Sequence, residues 1–239
     1  MRFPNGLQPN ENCQDCALHS AGFFCHLSQE AMQALESIKL TNVYPKGAVL
    51  FFEGQSPRGV YMLCQGRVKL SICSADGKML ILRIAAPGEM LGLSATVSDL
   101  LYKATAETLE TCQVNYIKKD DFLRFLREHG EACFRVAQHL SQNYQTAYVQ
   151  IRSLGLSHSA LEKLARLLLD WCQGRGTGTE QGIRLKLGLT HEEIARMIGT
   201  SRETVSRLFS ELKSRETIHL KGSTLIVRDT AALEAMTSI

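Results

Sequence analysis

The chain has 239 residues, a formal net charge of +3, 44% hydrophobic residues and 21% charged residues. This composition excludes an intrinsically disordered protein, and the length has room for one domain of average size and a smaller one. No apolar run approaches the length of a membrane span, and no signal-peptide core follows Met1. The eight cysteines suit a reducing compartment. We therefore expect a cytoplasmic protein without a membrane partner.

The first predicted element is a short helix over residues 28–38. Ser28 is a good N-cap, and Glu30 adds negative charge to the first turn. Three cysteines, Cys13, Cys16 and Cys25, precede this helix. We therefore separate a cysteine-containing segment, residues 1–27, from the domain that follows.

Residues 43–117 have the pattern of short β-strands. Glycines recur between stretches rich in Val, Leu, Ile, Phe and Tyr, for example residues 68–72 and 80–84. Asp76-Gly77 lies between these two stretches and is a hairpin turn signal. Short strands with regular turns predict an antiparallel barrel or roll, which we place within residues 28–130.

From about residue 119 to residue 172 the pattern is helical. Apolar residues within it follow the 3-4-3-4-3 spacing of a two-helix coiled coil. They are Ala137, Leu140, Tyr144, Ala147, Ile151 and Leu154. Packing against the chain's own roll would give a similar stripe, but the regular period favours a partner helix. We predict that residues 131–156 form the interface of a homodimer.

A further domain is predicted over residues 157–239. Gly155 and Ser157 indicate a hinge, and a helix follows over residues 159–172. The glycine-rich residues 174–182 are predicted to form a flexible loop, and they lack the lysine-serine pair of a phosphate-binding loop.

Residues 190–207 have the pattern of two short helices joined by a tight turn. Ile194, Ala195 and Ile198 supply the apolar spacing of a packed first helix, and Gly199 can adopt the left-handed conformation that ends it. Ser201 is a good N-cap for the second helix.

The second helix has one apolar and one polar face. The predicted buried residues are Val205, Leu208, Phe209 and Leu212, and the predicted polar face holds Arg202, Glu203, Ser206 and Arg207. This is the layout of a helix-turn-helix, whose second helix enters the DNA major groove. An ordinary helical hairpin with a solvated charged face is the alternative.

The residues after this helix support nucleic-acid binding. Residues 218–227 alternate about a Lys-Gly-Ser turn, which predicts a two-stranded wing with Lys221 and Ser223 placed to contact a phosphate. Residues 182–228 contain nine lysines and arginines against five glutamates, so the positive charge of the chain is concentrated there.

The run Ser-Arg-Glu-Thr-Val-Ser-Arg, residues 201–207, resembles the recognition-helix signature of the Crp/Fnr family (cyclic-AMP receptor protein and fumarate-nitrate reduction regulator). Residues 189–190 and 193–195 match as well, and the resemblance extends over nearly the whole chain. It implies an α+β fold with an N-terminal antiparallel β-roll (a cyclic-nucleotide-binding-like jelly roll), a long dimerisation helix and a C-terminal winged helix-turn-helix. The implied function is a homodimeric transcription regulator that binds double-stranded DNA and works with RNA polymerase. An enzyme or regulatory subunit is disfavoured, because no catalytic constellation accompanies a nucleophile.

The resemblance implies that Arg202, Glu203 and Arg207 contact bases. An arginine can donate two hydrogen bonds to guanine, and a carboxylate can accept one from cytosine N4. Ser206 is typical of the fumarate-nitrate branch and Arg202 of the cyclic-AMP branch. We therefore expect a palindromic operator built on TGA, and the identity of its outer bases is not determined.

Four hydroxyl residues nearby are interpreted as phosphate contacts or helix caps. They are Thr190, Thr200, Ser201 and Thr204, of which Thr204 is equally well explained as a packing residue.

The effector is the least determined feature. Residues 88–92, Gly-Glu-Met-Leu-Gly, match a motif of family members that bind a cyclic nucleotide, but their Arg-Ser/Thr-Ala motif is here Tyr-Lys-Ala, residues 102–104. A lysine cannot reproduce bidentate phosphate recognition, so little cAMP binding is expected. The candidate pocket residues are Gly88, Glu89, Gly92, Lys103 and Ala104. The alternative is that the glycines serve turns and Glu89 is solvated or bonds to backbone.

The N-terminal cysteines resemble the cluster-binding cysteines of the oxygen-sensing branch of the family. The fourth cysteine of that branch aligns with Asn115, whereas Cys112 lies three residues earlier and so on the opposite face of a strand. An Fe–S cluster on Cys13, Cys16, Cys25 and Cys112 is one interpretation. A zinc site of the three N-terminal cysteines with His19 or His26, and a metal-free redox-active segment, are the others.

The remaining cysteines, Cys64, Cys73, Cys133 and Cys172, are predicted to be buried.

Overall fold

The computed structural model describes residues 26–156 and 159–237. The predicted metal ligands Cys13, Cys16, Cys25 and His19 therefore lie outside the described residues. The chain divides into two compact units between Gln145 and Thr146. We refer to them as the N-terminal and the C-terminal unit.

The described helices are α1 (Gln29–Ile38), α2 (Leu93–Ser98), α3 (Lys119–Glu128), α4 (Gly130–Leu156), α5 (Ala160–Arg175), α6 (His191–Ile198), α7 (Arg202–Ser214) and α8 (Thr230–Met236). The strands of the N-terminal unit are β1 (Lys39–Tyr44), β2 (Val49–Phe51), β3 (Gly59–Gln65), β4 (Val68–Cys73), β5 (Met79–Ala85), β6 (Met90–Leu91), β7 (Thr105–Thr108) and β8 (Cys112–Lys118). The strands of the C-terminal unit are β9 (Thr177–Thr179), β10 (Gly182–Lys186), β11 (Ile218–Lys221) and β12 (Thr224–Val227).

The N-terminal unit is built on two four-stranded antiparallel sheets, with strand orders β1-β8-β3-β6 and β2-β7-β4-β5. Side chains from both sheets, among them Phe51, Leu63, Val68 and Val114, form one buried cluster. The predicted Asp76-Gly77 hairpin joins β4 to β5, with Gly77 at a φ of +82°. The expectation of an antiparallel roll is confirmed.

The outer face of the first sheet is covered by helices. Val60 and Met62 alternate with Tyr61 and Leu63 along β3, and the first pair packs on Phe122 of α3. This cluster also contains residues of α1 and α4. As predicted, Ser28 caps α1 by accepting a hydrogen bond from Ala31 N.

The C-terminal unit packs its helices around one apolar cluster, in which Trp171, Ile194, Phe209 and Leu225 take part. All four residues predicted to form the buried face of the second helix are buried. The wing strands β11 and β12 pair with each other, and β12 also pairs with β10.

The expectation of a flexible loop over residues 174–182 is wrong. Helix α5 continues to Arg175, and β9 pairs with β10 at the edge of a sheet ordered β11-β12-β10-β9. This pairing uses backbone groups, which no side-chain pattern reveals, and Gly182, which follows the turn at residues 180–181, has a φ of +121°.

The prediction that the remaining cysteines are buried is wrong for two of them. Cys172 is buried and Cys64 half buried, but Cys73 and Cys133 are exposed. Cys73 ends its strand at a hairpin, and Cys133 lies on the outer side of an amphipathic helix, so apolar neighbours in sequence do not cover them. None of the described helices is both long and apolar enough to cross a membrane.

Candidate nucleic-acid interface and effector cavity

The helix-turn-helix is fixed by local hydrogen bonds at three points. Thr190 and Glu193 form a capping box: Thr190 Oγ1 accepts from Glu193 N at 3.2 Å, and Glu193 Oε2 accepts from Thr190 N at 2.7 Å. Gly199 ends α6 with a φ of +67°. A residue with a Cβ atom would adopt this left-handed conformation only at a cost in free energy. Ser201 caps α7 by accepting from Thr204 N at 3.2 Å. Thr190 and Ser201 therefore serve as helix caps.

The first two turns of α7 present a polar, exposed surface. Arg202, Glu203 and Arg207 are exposed, while Thr204 and Ser206 are half buried. Hydrogen bonds from its own backbone N–H and from the Ser201 hydroxyl lower the pKa of Glu203, so its carboxylate is ionised at neutral pH and can only accept hydrogen bonds. These charged side chains are exposed and lie outside the apolar core.

The tip of the wing is also accessible. Lys221, Gly222 and Ser223 are exposed, and Gly222 has a φ of +59°. Ser223 is held in place because its carbonyl accepts a hydrogen bond from Leu187 N at 2.8 Å. Thr200, at the turn, is half buried, with its backbone N–H bonded to the Ala195 carbonyl.

The sequence did not reveal a contact between the two helices of this motif. His191 Nδ1 lies 2.9 Å from Ser206 Oγ, and the His191 ring stacks on Phe209. The only sequence signal was a histidine at the start of α6, which is more often a solvated residue.

The N-terminal unit contains a cavity of about 220 Å³ beside the β-roll. Three of the predicted pocket residues line it, Gly92, Lys103 and Ala104, together with apolar side chains such as Leu70. Gly92 has a φ of +76°, and a Cβ there would come within 2.9 Å of the Tyr102 ring. Glycine is thus required both by conformation and by close packing.

Gly88 and Glu89 form the turn that leads into the cavity wall. The Glu89 carboxylate forms a salt bridge with Arg83 and accepts a hydrogen bond from Ala86 N at 2.8 Å. Arg83 lines the cavity and was missed from the sequence, where it appears as one charge in an apolar run. The Glu89 carboxylate is therefore already bonded to the Arg83 side chain and to the backbone N–H of Ala86.

A buried histidine connects this wall to α4. His139 Nε2 lies 3.3 Å from the Met90 carbonyl, to which it donates a hydrogen bond. Burial lowers the pKa of His139, and nearby Arg83 acts in the same direction. The imidazole is neutral at pH 7.

Cys112 is packed in the core of the roll. Its Sγ lies 3.4 Å from the Arg67 carbonyl and 3.3 Å from the Glu110 carbonyl, and burial raises the pKa of its thiol. At Asn115, the aligned position, Oδ1 accepts a hydrogen bond from Thr41 Oγ1 at 2.9 Å. Among residues 26–156 and 159–237, no group of three or more metal-binding side chains gathers. This environment favours a structural role for Cys112.

Helix α4 carries an exposed apolar stripe. Tyr144 is 60% and Ile151 70% exposed, and Ala137 and Ala147 are also exposed. Leu140, by contrast, is half buried against the cluster between the sheet and the helices. The Leu154 side chain lies outside the described residues. Two further residues at stripe spacing, Phe134 (64% exposed) and Tyr148 (60%), were not predicted.

A roll with a cavity, a long helix and a winged helix-turn-helix together define a class of protein, namely DNA-binding proteins with a sensor-like β-domain. Comparison with known proteins agrees. The family model of the cyclic nucleotide-binding domain matches residues 41–129, and that of the Crp-like helix-turn-helix domain matches residues 162–236. The chain belongs to the Crp/Fnr family of transcription regulators, as its resemblance indicated, and this family is one of DNA-binding regulators, not of enzymes.

Similar proteins cover nearly the full length of the chain. The CRP-like cAMP-activated global transcriptional regulator of Mycobacterium tuberculosis is 25% identical over 219 residues, which span 92% of this chain and 97% of the relative. The anaerobic regulatory protein of Bacillus subtilis is 26% identical, with 84% of each chain covered. Among solved structures, a CooA mutant from Carboxydothermus hydrogenoformans superposes with a TM-score of 0.74 at 25% identity, covering 84% of this chain and 89% of that one.

Proposed function

We propose that the protein is a homodimeric, cytoplasmic transcription regulator that reads a palindromic, TGA-containing operator with α7 and works with RNA polymerase. The observation that carries this proposal is the exposed group Arg202, Glu203 and Arg207 at the capped N-terminus of α7. Residues at the N-terminal end of a recognition helix are the ones that contact base edges in the major groove. Thr190, Thr200, Ser201 and Lys221 would then face phosphates, and Ser206 a base.

Selection of binding sites from random DNA tests this proposal. We expect paired, inverted half-sites centred about one helical turn (~34 Å) apart, because a two-fold dimer presents two copies of α7. The matched control is a variant with Arg202 and Arg207 both changed to alanine, which should enrich no sequence. Recovery of single half-sites that bind at full affinity would contradict the proposal that a dimer binds the operator.

The exposed stripe of α4 supports the dimer. Exposed aromatic and aliphatic side chains at 3- and 4-residue intervals on one helix suit a seam with a second helix. The proposed domain division is a segment 1–27, a sensor domain 28–130, a dimerisation helix 131–156 and a DNA-binding domain 157–239.

The cavity beside the roll is the proposed effector site. Gly92, Lys103 and Ala104 line it, while Gly88 and Glu89 shape the turn of its wall. Lys103 is exposed and offers a single point charge, and Glu89 is already bonded to Arg83. A cyclic nucleotide would find neither a bidentate phosphate ligand at residue 103 nor a free carboxylate at residue 89.

We therefore expect cAMP at sub-millimolar concentration to leave the thermal unfolding midpoint unchanged. A ligand specific for the folded state, present at about one hundred times its dissociation constant, would add about 2.7 kcal/mol to the free energy of unfolding. Differential scanning fluorimetry measures the unfolding midpoint of the wild type and of Arg83→Gln, which serves as the comparison variant. A clear upward shift in the wild type that Arg83→Gln abolishes would show that Arg83 replaces the missing arginine and would overturn this expectation.

The N-terminal cysteines offer a second mode of control. The name of the Bacillus subtilis relative refers to anaerobic regulation, and that of the Mycobacterium tuberculosis relative to cAMP. The packing of Cys112 in the roll favours a zinc site or a metal-free thiol segment over a cluster that uses Cys112. Anaerobic purification followed by an absorption spectrum and metal analysis distinguishes the three interpretations.

A further inference from the structure

The start of α6 and the second turn of α7 are joined through one histidine. His191 follows the capping-box residue Thr190 directly, so its backbone is fixed. Its ring lies parallel to the Phe209 ring, with 4.9 Å between centroids and 5° between planes. Stacking on a buried aromatic leaves the imidazole little rotational freedom.

The held imidazole meets the hydroxyl of Ser206. Nδ1 and Oγ are 2.9 Å apart, a normal hydrogen-bond distance. Ser206 lies one helical turn after Arg202 and directly before Arg207, and it is half buried. A serine hydroxyl has one donor and two acceptor positions, so this bond determines which of them remains for DNA.

We propose that His191 is a specificity-determining positioning residue, which sets the hydrogen-bond polarity that Ser206 presents to the operator. In the neutral imidazole that carries its proton on Nε2, Nδ1 is the acceptor, so Ser206 donates its proton to His191 and offers only lone pairs to DNA. It then suits a base with a major-groove amino group, adenine N6 or cytosine N4. When His191 is protonated, Nδ1–H donates, and the Ser206 proton is free for an acceptor such as guanine O6 or thymine O4.

The surroundings of His191 favour the neutral form at pH 7. Burial lowers the pKa of His191, and Arg202 and Lys213, both of α7, lower it further. Glu192 lies beside it on α6, in a cleft that Thr190, His191 and Arg202 also line. The ring is thus open to solvent on the side away from Phe209, and a fall in pH can protonate it.

The inference rests on the proposed base contact of Ser206, and the experiment separates the two. Dissociation constants are measured by fluorescence anisotropy for operators that carry each of the four base pairs at every half-site position. Ser206→Ala identifies the position that Ser206 reads, because base discrimination falls there. His191→Phe keeps the ring stack and removes the hydrogen bond.

We expect His191→Phe to reduce discrimination at that same position by a few-fold to about tenfold, the worth of one hydrogen bond. The double variant should lose no more than Ser206→Ala alone. His219→Phe, at an exposed histidine of β11, should change nothing. A loss with Ser206→Ala but none with His191→Phe overturns the inference and leaves the base contact intact. No loss with Ser206→Ala overturns both.

A pH series adds a measurement of base preference whose result would not depend on pH if His191 had only a structural role. In the wild type, the preferred base at the Ser206 position should shift toward an acceptor as pH falls from about 8 to about 5. His191→Asn places an amide near the Nδ1 position but does not titrate, so its preference should not depend on pH. Because each ratio compares two operators at one pH, general effects of charge on DNA affinity cancel. If His191→Phe does not fold, this series decides alone, and a wild-type preference independent of pH overturns the proposal.

Discussion

Replacing Arg202 or Arg207 by alanine should cost roughly 1–3 kcal/mol of operator affinity each and should relax base preference at one position per half-site. Both guanidinium groups stand exposed on the first two turns of α7, clear of the apolar core. A bidentate contact to guanine is specific because one fork matches two acceptors, and its loss therefore affects one base pair.

The controls for this experiment separate base contacts from phosphate contacts. Lys221→Ala, at the tip of the wing, should weaken all DNA about equally and lower the salt slope by about one. Arg215→Ala removes a charge at the far end of α7, where Arg215 pairs with Glu211, and should have little effect. Equal, sequence-independent losses at Arg202, Arg207 and Lys221 would mean that the arginines contact only phosphates.

A lysine at Tyr144 or Ile151 should convert the protein to monomers and reduce operator affinity by about 10²- to 10⁴-fold, the gain that linking two binding modules provides. Both side chains are exposed on α4, so a charge there does not disturb the folded subunit but cannot be buried in a helix–helix seam. Sedimentation velocity measures the mass, and anisotropy measures the affinity.

The position of the lysine matters for this test. Leu140 is half buried against the roll of its own subunit, so a lysine there would also destabilise the monomer and confuse the result. Gln142→Lys is the matched control, since it lies two residues from Tyr144 and so on the other side of α4. A wild type that sediments as a monomer at micromolar concentration would mean that the stripe has another partner.

The helix-turn-helix and its wing could be predicted from local features of the sequence. Caps, a glycine turn and an apolar period are local signals, and the structure has them at Ser201, at Gly199 and along the buried face of α7. Short apolar stretches separated by regular glycine turns likewise predicted that the N-terminal unit is an antiparallel roll, because closely spaced turns bring successive strands side by side.

Contacts between side chains of different elements could not be predicted from the sequence, because they form only when the elements pack together. The hydrogen bond between His191 and Ser206, the Arg83–Glu89 pair at the cavity and the burial of Leu140 join residues whose local patterns are ordinary. The β9–β10 pairing depends on backbone groups, which every residue carries and which therefore leave no mark in the sequence. Periodicity records which face of an element is apolar, but which neighbour covers that face is set only when the whole chain packs.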